Sequence, residues 1–383
     1  MAGQQSAFDR RVQGALETAP SRIPVVLGGC GTGRTMLLQR MRERLGRGAA
    51  QYVAIERCAT TPERFLHAVT ASSPFPWQAE RQPTTPREAF DLLLVFFDSA
   101  RAPGGEPCTF LLDEVLELRT FESFPGLRHV LRDLLDGLAA SPNRFVLTTR
   151  YIARAHRLLR DATSRFEVIH IPPLTAADVI ELLAPAFNNY EQMPTDDRDY
   201  LGRAMQALTD GRAAYVKTIG DAMGQLGRTV DPVSALTALL STDGALNHWC
   251  RFCYELRLHR ARGYGALKAI LDVLAEQEPL TLTEISHRLH RTPGSTKDYL
   301  SWLEDVDLVT SRQKRYSFTD PVLRLWVRLH CRPVPPTDEE VGREVQQYAA
   351  GRLPHPEAAP ALAFAGVDAS VDERKSWGII EID

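Results

Sequence analysis

The sequence predicts an α/β protein built on a parallel sheet, continued by an all-helical segment and a winged-helix domain. Three observations carry that reading. Short apolar runs alternate with helical spacings from the N-terminus to about Ile171, and the first of these runs stops abruptly in glycines. No convincing strand follows between Thr175 and about Arg262, after which three helical patterns and two short strands appear. Buried strands alternating with helices imply βα units and a sheet covered on both faces.

Each element has its own signal. An amphipathic helix at about 6–18 precedes the apolar run Ile23-Pro24-Val25-Val26-Leu27, which reads as a buried strand. Helical spacing from Met36 to Leu45 makes the order strand, glycine-rich turn, helix. Further strands are expected at Gln51 to Glu56, Cys108 to Leu112, Arg144 to Thr149 and Phe166 to Ile171. Helices are expected at Pro62 to Ala71, from Pro86 through Phe97 after a proline-rich loop, and at about 126–140. Gly265 to Glu276, Thr283 to Leu289 and Ser295 to Asp305 read as three helices, with a hairpin of Leu308 to Ser311 and Arg315 to Phe318. The expected divisions are 1–172, 173–260, 261–332 and 333–383. The last carries four basic and ten acidic residues, and its prolines and alanines suggest an extended, loosely held segment. Its final residues, Trp377 to Asp383, could add a strand to an exposed sheet edge.

Composition limits the function. An apolar content of 44% is enough to build cores, which excludes full disorder. A net charge of −3 excludes a chain that holds nucleic acid by bulk charge alone. The six cysteines have no repeating spacing; Cys250-x-x-Cys253 lacks a second ligand pair and reads as two ordinary buried thiols. The N-terminus lacks the apolar core of a signal peptide and no run of about 18 apolar residues occurs, so a cytoplasmic protein is expected.

The chemistry concentrates where the first strand ends. Gly28-Gly29-Cys30-Gly31-Thr32-Gly33-Arg34-Thr35 follows the phosphate-loop spacing G-x-x-x-x-G-K-[ST] at every position except the lysine, which is Arg34. Glycines let the chain curl so that backbone N–H groups meet phosphate at a helix N-terminus: the candidate binding residues are Gly28, Gly31, Thr32, Gly33, Arg34 and Thr35. The Thr35 hydroxyl is the candidate ligand to Mg²⁺. Arginine keeps the charge of lysine but is planar and bulky, so binding can survive where hydrolysis suffers. The alternative is a glycine-rich turn without a ligand. Against it stands Thr109-Phe-Leu-Leu-Asp113-Glu114, an apolar strand that delivers two carboxylates well downstream of Arg34. Ligands bind at that edge of an open parallel sheet. Asp113 would hold Mg²⁺ and Glu114 would act as general base toward water. The next strand ends Thr148-Thr149-Arg150; Thr149 and Arg150 are placed to meet the terminal phosphate or the attacking water, unless Arg150 is a surface residue.

Together, the phosphate loop, LLDE and VLTTR resemble the AAA+ P-loop ATPases of the STAND branch, especially the archaeal-type ATPases and, in the TTR, the NB-ARC switch proteins. Ile171-Pro-Pro-Leu-Thr-Ala-Ala-Asp178 is similar to the start of their lid, and Tyr316-Ser-Phe-Thr-Asp320-Pro-Val-Leu-Arg-Leu-Trp326 to the end of their winged helix. The resemblance covers about residues 20–332. It implies ATP as the nucleotide, a lid over the adenine, and coupling between the lid and the winged helix. Asp210-Gly211-Arg212 stands where relatives have a Gly-x-Pro turn, and Arg212 could approach the phosphates from the lid or lie on its surface.

The winged helix leaves its partner open. Ser295 to Asp305 offers only Lys297 as a cation, whereas the wing turn carries Arg312, Lys314 and Arg315, a set that binds phosphate without reading sequence. An internal clamp on the ATPase core or a protein interface is the other role for such a domain. The leading reading is an ATP-dependent switch with slow hydrolysis, able to self-associate or meet a protein effector. The alternatives are a DNA-associated ATPase and a non-hydrolysing scaffold.

Overall fold

In the computed structural model, which describes residues 4–79, 81–186, 194–226, 231–259, 261 and 263–354, five parallel strands form one sheet. They are β1 (Ile23–Leu27), β2 (Ala50–Ala54), β3 (Thr109–Asp113), β4 (Arg144–Thr149) and β5 (Phe166–His170), in the order β2-β3-β4-β1-β5. Register aligns their C-terminal ends: Leu27 lies beside Thr149 and His170, and Ala54 beside Asp113. That shared edge carries the site.

Alternation along the strands sorts two cores. Val25, Leu27, Phe110, Leu112, Phe145 and Leu147 face one side, against α3 (Pro62–Ala71), α4 (Pro86–Ser99) and α5 (Val130–Ala140). Val26, Leu111, Val146 and Ile169 face the other, against α1 (Gln4–Glu17) and α2 (Arg34–Leu45). Both α3 and α4 begin with the same device, a threonine (Thr61, Thr85) accepting from the backbone N–H three residues on and a proline in the first turn. At the centre of the first core Phe110 stacks on Phe145 at 5.5 Å and meets Phe97 edge-on at 4.9 Å. Beyond β4 comes α6 (Ile152–Leu159).

After β5 the described residues are helical through α7 (Ala176–Leu183), α8 (Thr195–Thr209), α9 (Ala213–Leu226), α10 (Pro232–Leu240) and α11 (Ala245–His259). Then α12 (Tyr264–Glu276), β6 (Leu280–Thr281), α13 (Leu282–Arg288), α14 (Pro293–Asp305), β7 (Val309–Arg312) and β8 (Arg315–Phe318) follow, with α15 (Pro321–His330) after them. The three helices and the hairpin stand at the expected positions within a few residues. Sequence reading missed β6, which makes the hairpin a three-stranded sheet by pairing with β8. At two residues it is too short to show a period.

One expectation is corrected. Residues 338–350, read as extended, form α16 (Asp338–Ala350), started by a capping box in which Thr337 and Glu340 satisfy each other's backbone N–H groups. Val341, Val345 and Ala349 are buried, so packing stabilises the helix as well as its cap. The proline- and alanine-rich stretch from 355 and the Trp377 to Asp383 edge-strand expectation lie outside the described residues. Residues up to Leu353 form one unit. No helix of the described residues is long and apolar enough to cross a membrane.

Phe110→Ala removes the ring that touches four others in the core, and a loss of roughly 3–5 kcal/mol is expected in denaturant unfolding of the full chain.

Candidate nucleotide site

The loop between β1 and α2 has the backbone its glycines were read to supply. Gly31 and Gly33 have φ of +78° and +98°, a region that costs any other residue strain. A Cβ at Gly28 would stand 2.5 Å from Thr32 Oγ1, so the loop is closed tightly enough that a larger residue there would have to push Thr32 aside. Thr35, in the first turn of α2, donates its hydroxyl to Asp113 Oδ2 at 2.7 Å. Two oxygen ligands of the kind Mg²⁺ prefers therefore stand together beside the loop. Tyr52 donates to the same oxygen at 2.8 Å, and Thr148 donates to Asp113 Oδ1 at 2.5 Å.

Glu114 is the pivot. Its left-handed backbone, φ 60° and ψ 52°, turns the chain sharply after β3. Its N–H donates to Thr148 Oγ1 at 3.1 Å. Arg34 Nη2 donates to Oε1 at 2.5 Å, while Oε2 accepts from the Arg150 N–H at 3.1 Å and faces Arg150 Nε at 3.2 Å. Burial alone would raise this carboxyl, but the two guanidinium groups outweigh it and keep it below the usual range. Arg150 also pairs with Glu56. A row of alternating charge thus runs Arg34, Glu114, Arg150, Glu56, and removing one buried member typically costs about 3–5 kcal/mol.

Arg34 does not point out of the loop. Nη1 donates to the carbonyls of Gly28 and Gly29, and the side chain is buried. Its Nε, with Nε and Nη2 of the fully buried Arg257, lacks a hydrogen-bond partner among the described residues. Buried guanidinium donors, a glycine loop and a helix N-terminus are groups that can meet phosphate oxygens, so the residues present fit a nucleotide with its Mg²⁺.

Several expectations are refined. Arg150 is buried within the charge row and is not a surface residue. Thr149 is buried, but its hydroxyl accepts from the Tyr151 N–H at 3.2 Å, and Thr148 is the threonine that meets Asp113 and Glu114. Arg212 does reach the loop: Nη1 donates to the Cys30 carbonyl at 2.8 Å and lies 2.8 Å from where a Gly29 Cβ would stand. Nη2 donates at 2.5 Å to the carbonyl of Thr319, between β8 and α15. Arg312, Lys314 and Arg315 are exposed, with Arg315 near Glu284 at 3.7 Å. Cys250 and Cys253 are buried free thiols on α11.

Sequence reading missed a further set of contacts from the C-terminal part. Trp249 of α11 packs over Gly31, its ring 2.7 Å from where a Cβ would be. Asp307, in the turn after α14, brings Oδ2 to 3.2 Å from the same construction at Gly29, and its carbonyl accepts from Arg257 at 2.8 Å. Asp320 caps α15 and accepts from Tyr215 at 2.7 Å. Buried charges so far beyond the loop along the chain leave no periodic signal. Only the acidic residues flanking a hairpin with a basic turn, Asp307 and Asp320, could have drawn attention.

No family model and no curated protein matches the sequence. Among solved structures, the chain is similar to the Walker-type ATPase of Pyrococcus abyssi, with a TM-score of 0.63 and 17% identity over 85% of this chain and 97% of that one. Weaker matches are Cdc6p of Pyrobaculum aerophilum (TM-score 0.42, 12% identity, 92% and 96% covered) and Orc1 of Aeropyrum pernix, solved in complex with DNA (0.44, 16%, 91% and 93%). The first likeness is one of fold: an α/β P-loop ATPase architecture on a five-stranded parallel sheet.

Burial pushes Asp307 up to about 7, against the pull of Arg257 and Arg212. A carboxyl raised from its unfolded value favours the fold while protonated, and that contribution is lost as pH rises through about 7. Asp307→Asn should therefore remove this contribution, so that the Tm of the native chain relative to the variant rises as pH falls from about 7 to about 4, as differential scanning calorimetry would show.

Proposed function

We propose that this protein binds ATP with Mg²⁺ at the β1–α2 loop, hydrolyses it slowly, and transmits the nucleotide state to the C-terminal helices and hairpin. The observation that carries the binding reading is the meeting of Thr35 and Asp113, side by side at the loop's exit, with Glu114 one residue on. Mg²⁺ would supply charge neutralisation of the phosphates at those two oxygens. The loop N–H groups, Arg34 and Arg212 would hold the phosphates. A cleft of about 480 Å³ beside Thr32, lined by Ile171, Pro172, Arg203, Gln206 and Asp210, has room for the base and sugar. Glu114 would take the proton from the water that attacks the terminal phosphorus.

The switch reading rests on Arg212. One guanidinium joins the loop carbonyl of Cys30 to Thr319, so phosphates drawing on Arg212 compete with its hold on the segment between β8 and α15. Asp305 at the end of α14 pairs with Arg154 and Arg157 of α6, a second tie of the same part to the sheet domain. These ties favour the internal-clamp role for residues 261–332, read as a winged helix, with 1–172 as the nucleotide-binding domain and 173–260 as the lid.

Glu114→Gln should retain ATP while phosphate release falls by about 10²–10⁴-fold; equal release by both proteins would refute the base, and no turnover by the native chain would support a non-hydrolysing scaffold. Asp113→Ala should weaken Mg²⁺-dependent ATP binding at least about tenfold in calorimetry, and an unchanged affinity would remove Asp113 as the metal ligand.

A second reading, contact with duplex DNA, is favoured by the exposed Arg288, Arg291, Lys297, Arg312, Lys314 and Arg315, which lie on α13, α14, the turn between them and the hairpin. Random duplex should bind at low salt and release steeply as salt rises, with Lys314→Glu weakening it. Absence of binding at low salt eliminates this reading.

A further inference from the structure

We propose that Arg34 is an internal occupant of the phosphate loop that masks one oxygen of Glu114, so that an entering nucleotide displaces the guanidinium and thereby uncovers the base. The inference rests on the nucleotide reading above and assigns that site a regulation of its own.

The two oxygens of Glu114 are held by different groups. Oε2 is held by the Arg150 N–H at 3.1 Å and faces Arg150 Nε at 3.2 Å. Oε1 accepts from Arg34 Nη2 at 2.5 Å. Arg34 Nη1 meanwhile closes onto the carbonyls of Gly28 and Gly29, the first residues of the loop. The cation therefore lies between the first carbonyls of the loop, which accept from Nη1, and the Glu114 carboxylate, which accepts from Nη2. Lysine at this position presents a compact point charge; a planar fork with separate Nη donors can bridge two acceptors at once. The departure from the usual phosphate-loop residue and the masking contact are thus one feature.

A triphosphate carries more negative charge than Glu114 and presents oxygens that pair with a guanidinium in the same forked manner. When Arg34 turns to those oxygens, Glu114 Oε1 loses its donor while Oε2 keeps both contacts to Arg150. The carboxylate stays in place with one oxygen free. Arg150 is the positioning residue and Arg34 the mask. With Arg34 as it lies, both oxygens of Glu114 are covered, one by Arg34 and the other by Arg150.

The test is calorimetry of ATP with Mg²⁺ on the full chain. Glu114→Gln removes the charge that retains Arg34 while keeping the shape, and should tighten ATP binding about tenfold; Glu114→Asp, which draws the carboxylate back by one carbon, should move affinity in the same direction. In an Arg34→Lys background the Glu114→Gln effect should shrink below about twofold, a coupling that a merely structural role would not produce. Thr35→Ala should weaken binding in every background. Affinity unchanged or weakened by both Glu114 variants, with Thr35→Ala still weakening it, overturns the mask and leaves the nucleotide site standing. Thr35→Ala without effect, or no ATP binding by any of these proteins, overturns the nucleotide reading and the mask with it.

Discussion

Opposite charges buried at the end of a parallel sheet set the terms for everything around them. Arg34 and Glu114 are each almost completely covered, and burying either charge alone would be costly. Besides each other, Arg34 takes the loop carbonyls of Gly28 and Gly29 and Glu114 takes Arg150 at the end of β4, which in turn pairs with Glu56 just after β2. The register of the sheet satisfies this demand. With Leu27 beside Thr149 and Ala54 beside Asp113, the loop, both carboxylates, Thr148 and Arg150 fall at one edge, and the two hydrophobic cores keep that edge rigid.

Much of this was legible in the sequence because it follows from local rules. The strand before the glycines, the LLDE strand and the TTR strand are continuous apolar runs, and continuous runs are what strands covered on both faces produce. Thr35, Asp113, Glu114 and Arg150 were found from their places at strand or loop ends. The sequence singled out Thr149, whereas Thr148 is the threonine that meets the two carboxylates: both are buried, and only the direction of each side chain separates them. Direction depends on the neighbouring strand.

What the sequence could not disclose is the approach of the C-terminal part to the loop. Trp249, Arg257, Asp307 and Asp320 belong to elements whose own patterns are ordinary amphipathic helices and a hairpin. Their roles arise from tertiary contacts that converge on Gly29, Cys30 and Gly31 from the distant end of the chain. Arg212 is intermediate. Its place after the Asp210-Gly211 turn suggested a reach toward phosphate, but its second partner, the Thr319 carbonyl, carries no sequence signal.

The helix α16 has a mechanical consequence. Tyr348 donates its hydroxyl to the carbonyl of Leu208 at the end of α8 at 2.6 Å, and Glu344 pairs with Arg328 of α15 at 2.7 Å. One helix near residue 350 therefore straps the helices after β5 to the helix after the hairpin. This strap is separate from the contacts that tie the same parts to the sheet domain, those of Arg212 at the loop and of Asp305 with α6. A chain cut before Thr337 would keep every residue of the candidate nucleotide site while losing the contacts by which α16 joins the two parts.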